Sequence, residues 1–343
     1  MLFFNSVGLL GRKNLAIDLG TANTVIHLDG AGIVVDEPSV VAIDHSTGAR
    51  TFIAVGEAAK RMLGKTQNNI VVVRPIKDGV VADIEVAEEM LKHFMRMAVG
   101  AKRSLRAPKV VICVPSGATA VERRAIRDAA LNAGASHVTL IEVPLAAALG
   151  AGLMSGRPEG AMIVDIGGGT TEIGIVSMGA LVTSASVRVG GSKIDDAIIS
   201  YVRRRYNFAI GETTAEFIKI NHGNALAPSE GEGAKFSVRG LNLKHGRPGA
   251  LELNELDVHE AIKEVLSMIV SGILALLEDA PPELSADIFS SGIVITGGGS
   301  LLPGLSTLIE SVTGLTVIRA DAPLLCGANG ARSLLETKPM ELD

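Results

Sequence analysis

The chain has 343 residues, of which 47% are hydrophobic and 20% charged, and its formal net charge is −5. That length predicts two units of roughly 150 residues each, and the apolar content excludes a disordered chain. The scattered basic residues give no electrostatic footprint for DNA or RNA, and no run reaches the roughly 18 apolar residues that a membrane span requires.

In chain order, Leu2, Phe3, Phe4, Val7, Leu9 and Leu10 precede Arg12 and Lys13. On a short helix they would cover one side, which makes them a candidate peripheral membrane anchor, with a packed or frayed terminus as the alternative. Residues 14–28 predict a strand, a glycine turn and a returning strand, and β-branched residues recur through Ile43 as in a meander. Gly64-Lys65-Thr66 has the tail of a P-loop, but Ala59 stands where that motif needs its first glycine, so Lys65 is expected at the surface. Helical spacing at 85–99 and 118–133 flanks an apolar strand at 109–114, an alternating α/β pattern. Between them Leu105, among Lys102, Arg103 and Arg106, is a second candidate membrane contact. A helix is expected from near Leu145.

At Ala161–Ser177 the opening pattern of strand, acid, glycine turn, hydroxyl residues and strand returns, a duplication suited to two similar halves. Residues 223–250, rich in Gly, Pro, Ser and charge, read as surface loops of a small insertion with room for a short strand at 235–239. An amphipathic helix is predicted at about 257–279, stopped by Pro281-Pro282, and a strand at 292–296 then runs into Gly297-Gly298-Gly299. Cys113 and Cys326 form no CxxC and follow no cleavable signal sequence, so buried thiols in a cytosolic protein are expected.

Three glycine turns carry the chemistry. A nucleotide's phosphates need backbone N–H donors at close range, and glycine lets the main chain approach without a Cβ in the way. The first turn, Asp18-Leu19-Gly20-Thr21-Ala22-Asn23-Thr24, is repeated by Asp165-Ile166-Gly167-Gly168-Gly169-Thr170-Thr171. Mg²⁺ is usually held by one or two carboxylates together with phosphate, and Asp18 and Asp165 suit that role through water. No His/Cys group has zinc spacing, and no Gly-x-Ser-x-Gly elbow offers an acyl-transfer nucleophile.

These two segments resemble the phosphate loops of the actin, Hsp70 and sugar-kinase superfamily. Within it, Asp36-Glu37-Pro38-Ser39-Val40-Val41-Ala42, Arg74-Pro75-Ile76-Lys77-Asp78-Gly79, Val121-Glu122-Arg123-Arg124-Ala125-Ile126 and Pro281-Pro282-Glu283-Leu284 are similar to MreB proteins, and the resemblance runs from about Asn14 to Leu335. It implies an α/β, actin-like fold of two RNase H-like lobes with a nucleotide cleft between them, each lobe carrying a smaller subdomain. Lobe I would span 1–145, with 324–343 returning to it, and lobe II 146–323, with its small subdomain at about 190–250. ATP with Mg²⁺ would be the ligand. By motif, Gly20, Thr21, Ala22 and Asn23, together with Gly167, Gly168, Gly169 and Thr170, would hold the phosphates. Glu216 and Lys219 would reach ribose and base, and Gly298, Gly299, Ser300 and Leu301 would line the adenosine pocket. Asp165 and Thr170 would serve hydrolysis. The family implies a cytoplasmic filament of double protofilaments at the inner face of the membrane, working with RodZ, MreC, MreD and wall-elongation enzymes to determine cell shape.

The chain departs from the family pattern in places. Val143-Pro144-Leu145 replaces the usual Glu-Pro-Met, so the glutamate that would face the attacking water is absent and at most slow hydrolysis is expected. Phe217-Ile218-Lys219-Ile220-Asn221-His222-Gly223 replaces Arg-Ile-Lys-x-Glu-Ile-Gly, and Ser192 follows Gly190-Gly191 where aspartate is common. A divergent paralogue with a regulatory role is the alternative within the family. A small-molecule kinase of the superfamily would need a carboxylate placed to accept a substrate hydroxyl proton, and no sugar-binding signature accompanies the turns.

Overall fold

A computed structural model describes residues 13–100, 107–154 and 158–336. The anchor residues Leu2, Phe3 and Phe4, and Leu105, lie outside the described residues. The chain divides into two units, one running to Gly152 and resuming at Leu325, the other spanning Leu153–Leu324.

In the first unit, strands Leu15–Leu19, Asn23–Leu28, Gly32–Pro38, Lys109–Val114 and His137–Glu142 form one five-stranded sheet. Leu15–Leu19 is central: it pairs antiparallel with Asn23–Leu28 on one side and parallel with Lys109–Val114 on the other. Val41–Asp44 leaves this meander for a small sheet with Thr51–Val55 and Ile70–Val73, so the expected continuous meander breaks after Pro38. Helix Ile84–Val99 starts at Asp83, whose side chain accepts from the Val86 N–H, and buries Met90, Leu91 and Phe94 against the sheet core. Helix Ala120–Asn132 opens with a capping box, Thr119 with Glu122.

Helix Val143–Gly150 begins two residues before Leu145, with Glu142 at its N-cap and Pro144 in its first turn. Proline needs no N–H there, which sets the start. This helix belongs to the first unit, so the division falls at Gly152 rather than at the expected residue 145. The cause is a backbone-to-backbone contact with helix Cys326–Glu336: a Cβ on Gly330 would lie 1.7 Å from the Ala146 carbonyl oxygen, and one on Gly150 2.0 Å from that of Cys326. Cys113 and Cys326 are both buried and in no disulfide, as expected.

The second unit repeats the first unit's sheet. Strands Ala161–Ile166, Thr171–Ser177, Ala180–Val187, Ile293–Thr296 and Val317–Arg319 are ordered with Ala161–Ile166 central, antiparallel to Thr171–Ser177 and parallel to Ile293–Thr296. Helix Glu255–Glu278 starts earlier than the predicted residue 257 because Asn254 and Asp257 form a capping box. Pro282 opens the next helix, Pro282–Ser291.

Residues 223–234 are irregular, as expected, but the rest of the loop reading over 223–250 is corrected, because the short strand expected at 235–239 is one arm of a full hairpin. Strands Lys235–Asn242 and Arg247–Asn254 form a hairpin that pairs with Phe208–Ala209. Gly240 faces Gly249 in its register, and the Phe208 ring lies against that pair, since a Cβ on Gly240 would come 2.6 Å from Phe208 Cε1. Glycines that read as loop residues are therefore space for an aromatic ring.

Candidate functional site

The acid-glycine turn of each unit closes the first hairpin of its sheet. In the first unit the last paired residues are Leu19 and Thr24, and the Gly20 N–H donates to the Asn23 carbonyl at 3.1 Å. In the second they are Ile166 and Thr171, and the Gly167 N–H donates to the Thr170 carbonyl at 2.9 Å. The same bond closes both turns. The N–H groups of Thr21 and Ala22, and of Gly168 and Gly169, have no acceptor among the described residues. Adjacent free amides at a strand-end turn are the local chemistry of anion binding.

Side chains brace the first turn. Buried Ser39 donates from Oγ to the Gly20 carbonyl at 2.7 Å and shares a 2.9 Å hydrogen bond with Thr24 Oγ1, while its N–H donates to the Ala22 carbonyl. Asn23 Nδ2 donates to Asp36 at 2.9 Å, which turns that amide away from a ligand role. The Thr21 hydroxyl accepts from the Gly79 N–H at 3.4 Å. Sequence reasoning missed Ser39, although it lies within the family-like segment 36–42.

Asp18 is the penultimate residue of the central strand before this turn, and burial pushes its carboxyl up to about 6. Gly327 leaves it room, since a Cβ there would meet Asp18 Oδ2 at 2.3 Å. A desolvated carboxyl with no cation to compensate it is the donor that a hydrated divalent ion would relieve, so Asp18 fits the Mg²⁺ role. No group of three or more His, Cys, Asp or Glu among the described residues could hold a metal unaided.

Backbone braces the second turn. The Gly191 and Ser192 N–H groups, at the start of helix Gly191–Tyr206, donate to the Gly167 and Gly168 carbonyls at 3.0 and 2.8 Å. A Cβ on Gly190 would lie 2.5 Å from the Gly167 carbonyl oxygen, so the approach requires glycine. The third glycine turn packs on the second: Cβ atoms on Gly297 and Gly299 would meet Ile166 at 2.5 and 2.2 Å. Gly298–Leu301 forms one 3₁₀ turn in which buried Ser300 donates to the Gly297 carbonyl at 2.7 Å, while Leu301 is exposed. The Ser300 side chain is thus a structural brace, as is its N–H, which donates to the same carbonyl at 3.2 Å.

Lys219, on helix Glu212–His222, donates to the Gly191 carbonyl at 3.1 Å and pairs with Asp195 Oδ2 at 2.9 Å. Its ammonium ties that helix to the second turn. Burial, partly offset by Lys219, raises the Asp195 carboxyl to about 6, with Glu216 and Glu212 adding to the rise. Asp195 Oδ1 is buried without a donor. Asp165, Thr170 and Glu216 are half-buried beside these groups. The second unit therefore gathers Asp165, Gly167–Thr170, Glu216, Lys219 and Gly298–Leu301 at one end of its central strands.

Val143 is half-buried against the apolar cluster of Ala16, Val111, Cys113 and Ile141 under the first sheet. Neighbouring Glu142 is held by Arg123 at 2.7 Å, on a helix that the Thr119–Glu122 capping box anchors. That ion pair engages the Glu142 carboxylate. Lys65 is exposed, as expected.

A family model described as MreB/Mbl protein matches residues 12–341. The chain is 50% identical over 326 residues to the cell shape-determining protein MreB of Escherichia coli (strain K12), covering 94% of this chain and 93% of that protein. Two solved structures of MreB5 of Spiroplasma citri superpose with TM-scores of 0.87 over 95% of this chain and 96% of theirs. One is bound to ADP, at 36% identity, and the other to AMPPNP, at 34%.

Proposed function

This chain belongs to the MreB/Mbl family, and from that membership we propose that it is an ATP-binding, actin-like cytoskeletal protein that determines cell shape. The observation that carries the reading is the duplicated hairpin turn, closed by the same hydrogen bond in both units and leaving adjacent amides free in each. Relatives bound to ADP and AMPPNP support a nucleotide as the ligand of those amides.

Thr21, Ala22, Gly168 and Gly169 would donate N–H groups to phosphate oxygens, with Gly20, Asn23, Gly167 and Thr170 shaping the turns. Asp18 and Asp165 would orient waters around Mg²⁺, which when bound supplies charge neutralisation for the phosphates. Glu216 and the backbone of Gly298–Leu301 would meet the nucleoside. Lys219 would act chiefly by fixing the helix that carries Glu216, because two of its three N–H donors are already engaged. An isopropyl group at Val143 neither accepts a proton nor orients water, so hydrolysis is slow.

Self-assembly into double protofilaments, attachment to the inner membrane face through Leu2, Phe3, Phe4 and Leu105, and work with RodZ, MreC, MreD and wall-elongation enzymes complete the reading. One short anchor binds weakly, and a polymer aligns many of them. Among the described residues no helix is long and apolar enough to cross a membrane. Pelleting with liposomes in ATP, in ADP and without nucleotide tests ligand, polymer and membrane together. ATP should drive both polymer and vesicle pelleting, and deletion of residues 2–10 should remove the second while leaving the first. Pelleting indifferent to nucleotide would reject the reading.

A further inference from the structure

Asp195 is a buried acid with one oxygen left over. It lies on helix Gly191–Tyr206 beside buried Ile194 and one turn before buried Ile198, and is 7% exposed. Helix Glu212–His222 packs on this helix and buries Ala215 and Ile218. Lys219 brings its ammonium to Asp195 Oδ2 at 2.9 Å, while Oδ1 has no donor among the described residues. Lys219 is the favourable charge acting on this carboxyl, and Glu216 and Glu212 of the same helix oppose it. Along its own helix Lys193 and Asp196 are exposed, and the turn 167–170 carries no charged side chain. Helix Glu255–Glu278 meets helix Gly191–Tyr206 farther along, through Asp257, whose Oδ1 accepts from the Tyr201 and Tyr206 hydroxyls at 3.1 and 2.6 Å. A carboxylate that served stability alone would have both oxygens satisfied. Here one ammonium decides whether the acid stays ionised.

That pair begins a chain of contacts that ends at two of the glycine turns. The Lys219 ammonium also donates to the Gly191 carbonyl at 3.1 Å, and a Cβ on Gly191 would stand 3.3 Å from Nζ, so the ammonium rests on bare backbone. The N–H of the same Gly191 donates to the Gly167 carbonyl at 3.0 Å and so fixes the second turn. At the far end of helix Glu212–His222, a Cβ on Gly223 would lie 2.9 Å from Leu302 Cδ1. The Ala225 N–H donates to the Pro303 carbonyl at 2.7 Å, just after the third turn. Packing therefore ties the C-terminal end of this helix to the third turn. Lys219, one helical turn beyond Glu216, ties its middle to the second.

We propose that Asp195 is a positioning residue for the nucleotide: by holding Lys219 on the Gly191 carbonyl it keeps Glu216 in register with the second turn, and a proton on its carboxyl releases that register and weakens binding. The inference rests on the nucleotide reading above and adds its control by pH. Asp195 acts through Lys219 and the Gly191 peptide. In the free chain burial, partly offset by Lys219, brings the carboxyl to about 6. A ligand that needs the ionised form binds best above that value and loses affinity as pH falls through it. By the same linkage, bound nucleotide makes Asp195 the stronger acid. A pair that served only the fold would change stability and leave the pH profile of nucleotide affinity where it was.

The test is the affinity of the full chain for a fluorescent ATP analogue with Mg²⁺, at protein concentrations below assembly. The natural chain is compared with Asp195→Asn, the neutral isostere of the protonated acid, with melting temperatures confirming that both fold. Both chains share the titrations of Asp18 and of the nucleotide's own phosphates, so the ratio of their affinities isolates Asp195. That ratio should be about tenfold in favour of the natural chain at about pH 7.5 and fall to about twofold at about pH 5. In a Lys219→Met background, where the link is already broken, Asp195→Asn should alter affinity by less than about twofold. If Lys219→Met does not fold, the first ratio alone decides. Equal affinities of the two chains near neutral pH, or a ratio that stays constant with pH, overturn the inference. So does a further loss on Asp195→Asn in the Lys219→Met background, which would put Asp195 on the nucleotide itself. A natural chain that binds no ATP at either pH overturns the nucleotide reading and the inference with it, whereas a natural chain that binds and is matched by Asp195→Asn sinks the inference alone.

Discussion

The two acid-glycine turns share strand order, closing hydrogen bond and free amides, yet they are held by different means. Ser39, Thr24 and Asp36 brace the first through side chains. Gly191 and Ser192 brace the second through backbone N–H groups, with Gly190 and Gly299 packed too closely for any side chain. The second is further locked by Lys219 and Asp195, whereas the first rests on a buried acid with Val143 nearby in sequence to the sheet's last strand. A turn held by side chains tolerates changes one group at a time, and a turn held by backbone fails when space is taken away. The second unit should therefore be the more brittle half.

The largest expected effect is Lys219→Met, which leaves Asp195 buried without its cation. Loss of about 3 kcal/mol at pH 7 is expected by chemical denaturation, and Asp195→Asn in the same background should recover part of it. The pH dependence carries the same signature. The folded Asp195 carboxyl titrates near 6 against an ordinary 3.8, so the folded state holds the proton more tightly. That contribution is full below about pH 4 and is lost as pH rises through about 6. Asp18 adds a slope of the same sign, and Asp195→Asn should remove only its own share. A pH profile unchanged by Asp195→Asn would show that the second turn is not locked in this way.

Next is Val143→Glu in the first unit, which should quicken phosphate release under assembly conditions by up to about 100-fold at similar ATP affinity. Equal rates would mean that Val143 only packs against Ala16 and Ile141. Gly190→Ala should cost about 1–3 kcal/mol and reduce the melting shift given by ATP, because the added carbon must displace the Gly167 carbonyl. Ser39→Ala should be the mildest, about 1 kcal/mol, since one hydroxyl donor to Gly20 is lost while the Ser39 N–H bond to Ala22 remains. Equal losses for Gly190→Ala and Ser39→Ala would erase the contrast between the turns.

Both turns were legible in the sequence because the chemistry is local: an acid at a strand end, glycine two residues on and hydroxyls after the bend repeat at 18–24 and 165–171. Helices Ile84–Val99 and Glu255–Glu278 were legible from apolar spacing, to within two residues at the capped ends. The hairpin Lys235–Asn254 was not, because Gly240 and Gly249 serve a ring, Phe208, that is distant in sequence. The helix expected near Leu145 starts at Val143, also within two residues, but its close packing on Gly330, which lies far along the chain, was not legible. Ser39 stayed hidden for the same reason: its partner is a carbonyl 19 residues away.

Thermal unfolding of the full chain with ATP and Mg²⁺ tests the central claim most directly. The account predicts a melting temperature that rises with millimolar ATP, rises further with Mg²⁺, and loses the Mg²⁺-dependent part in Asp18→Ala and in Asp165→Ala. A melting temperature indifferent to ATP in the natural chain, or a Mg²⁺ effect undiminished in both variants, would contradict it.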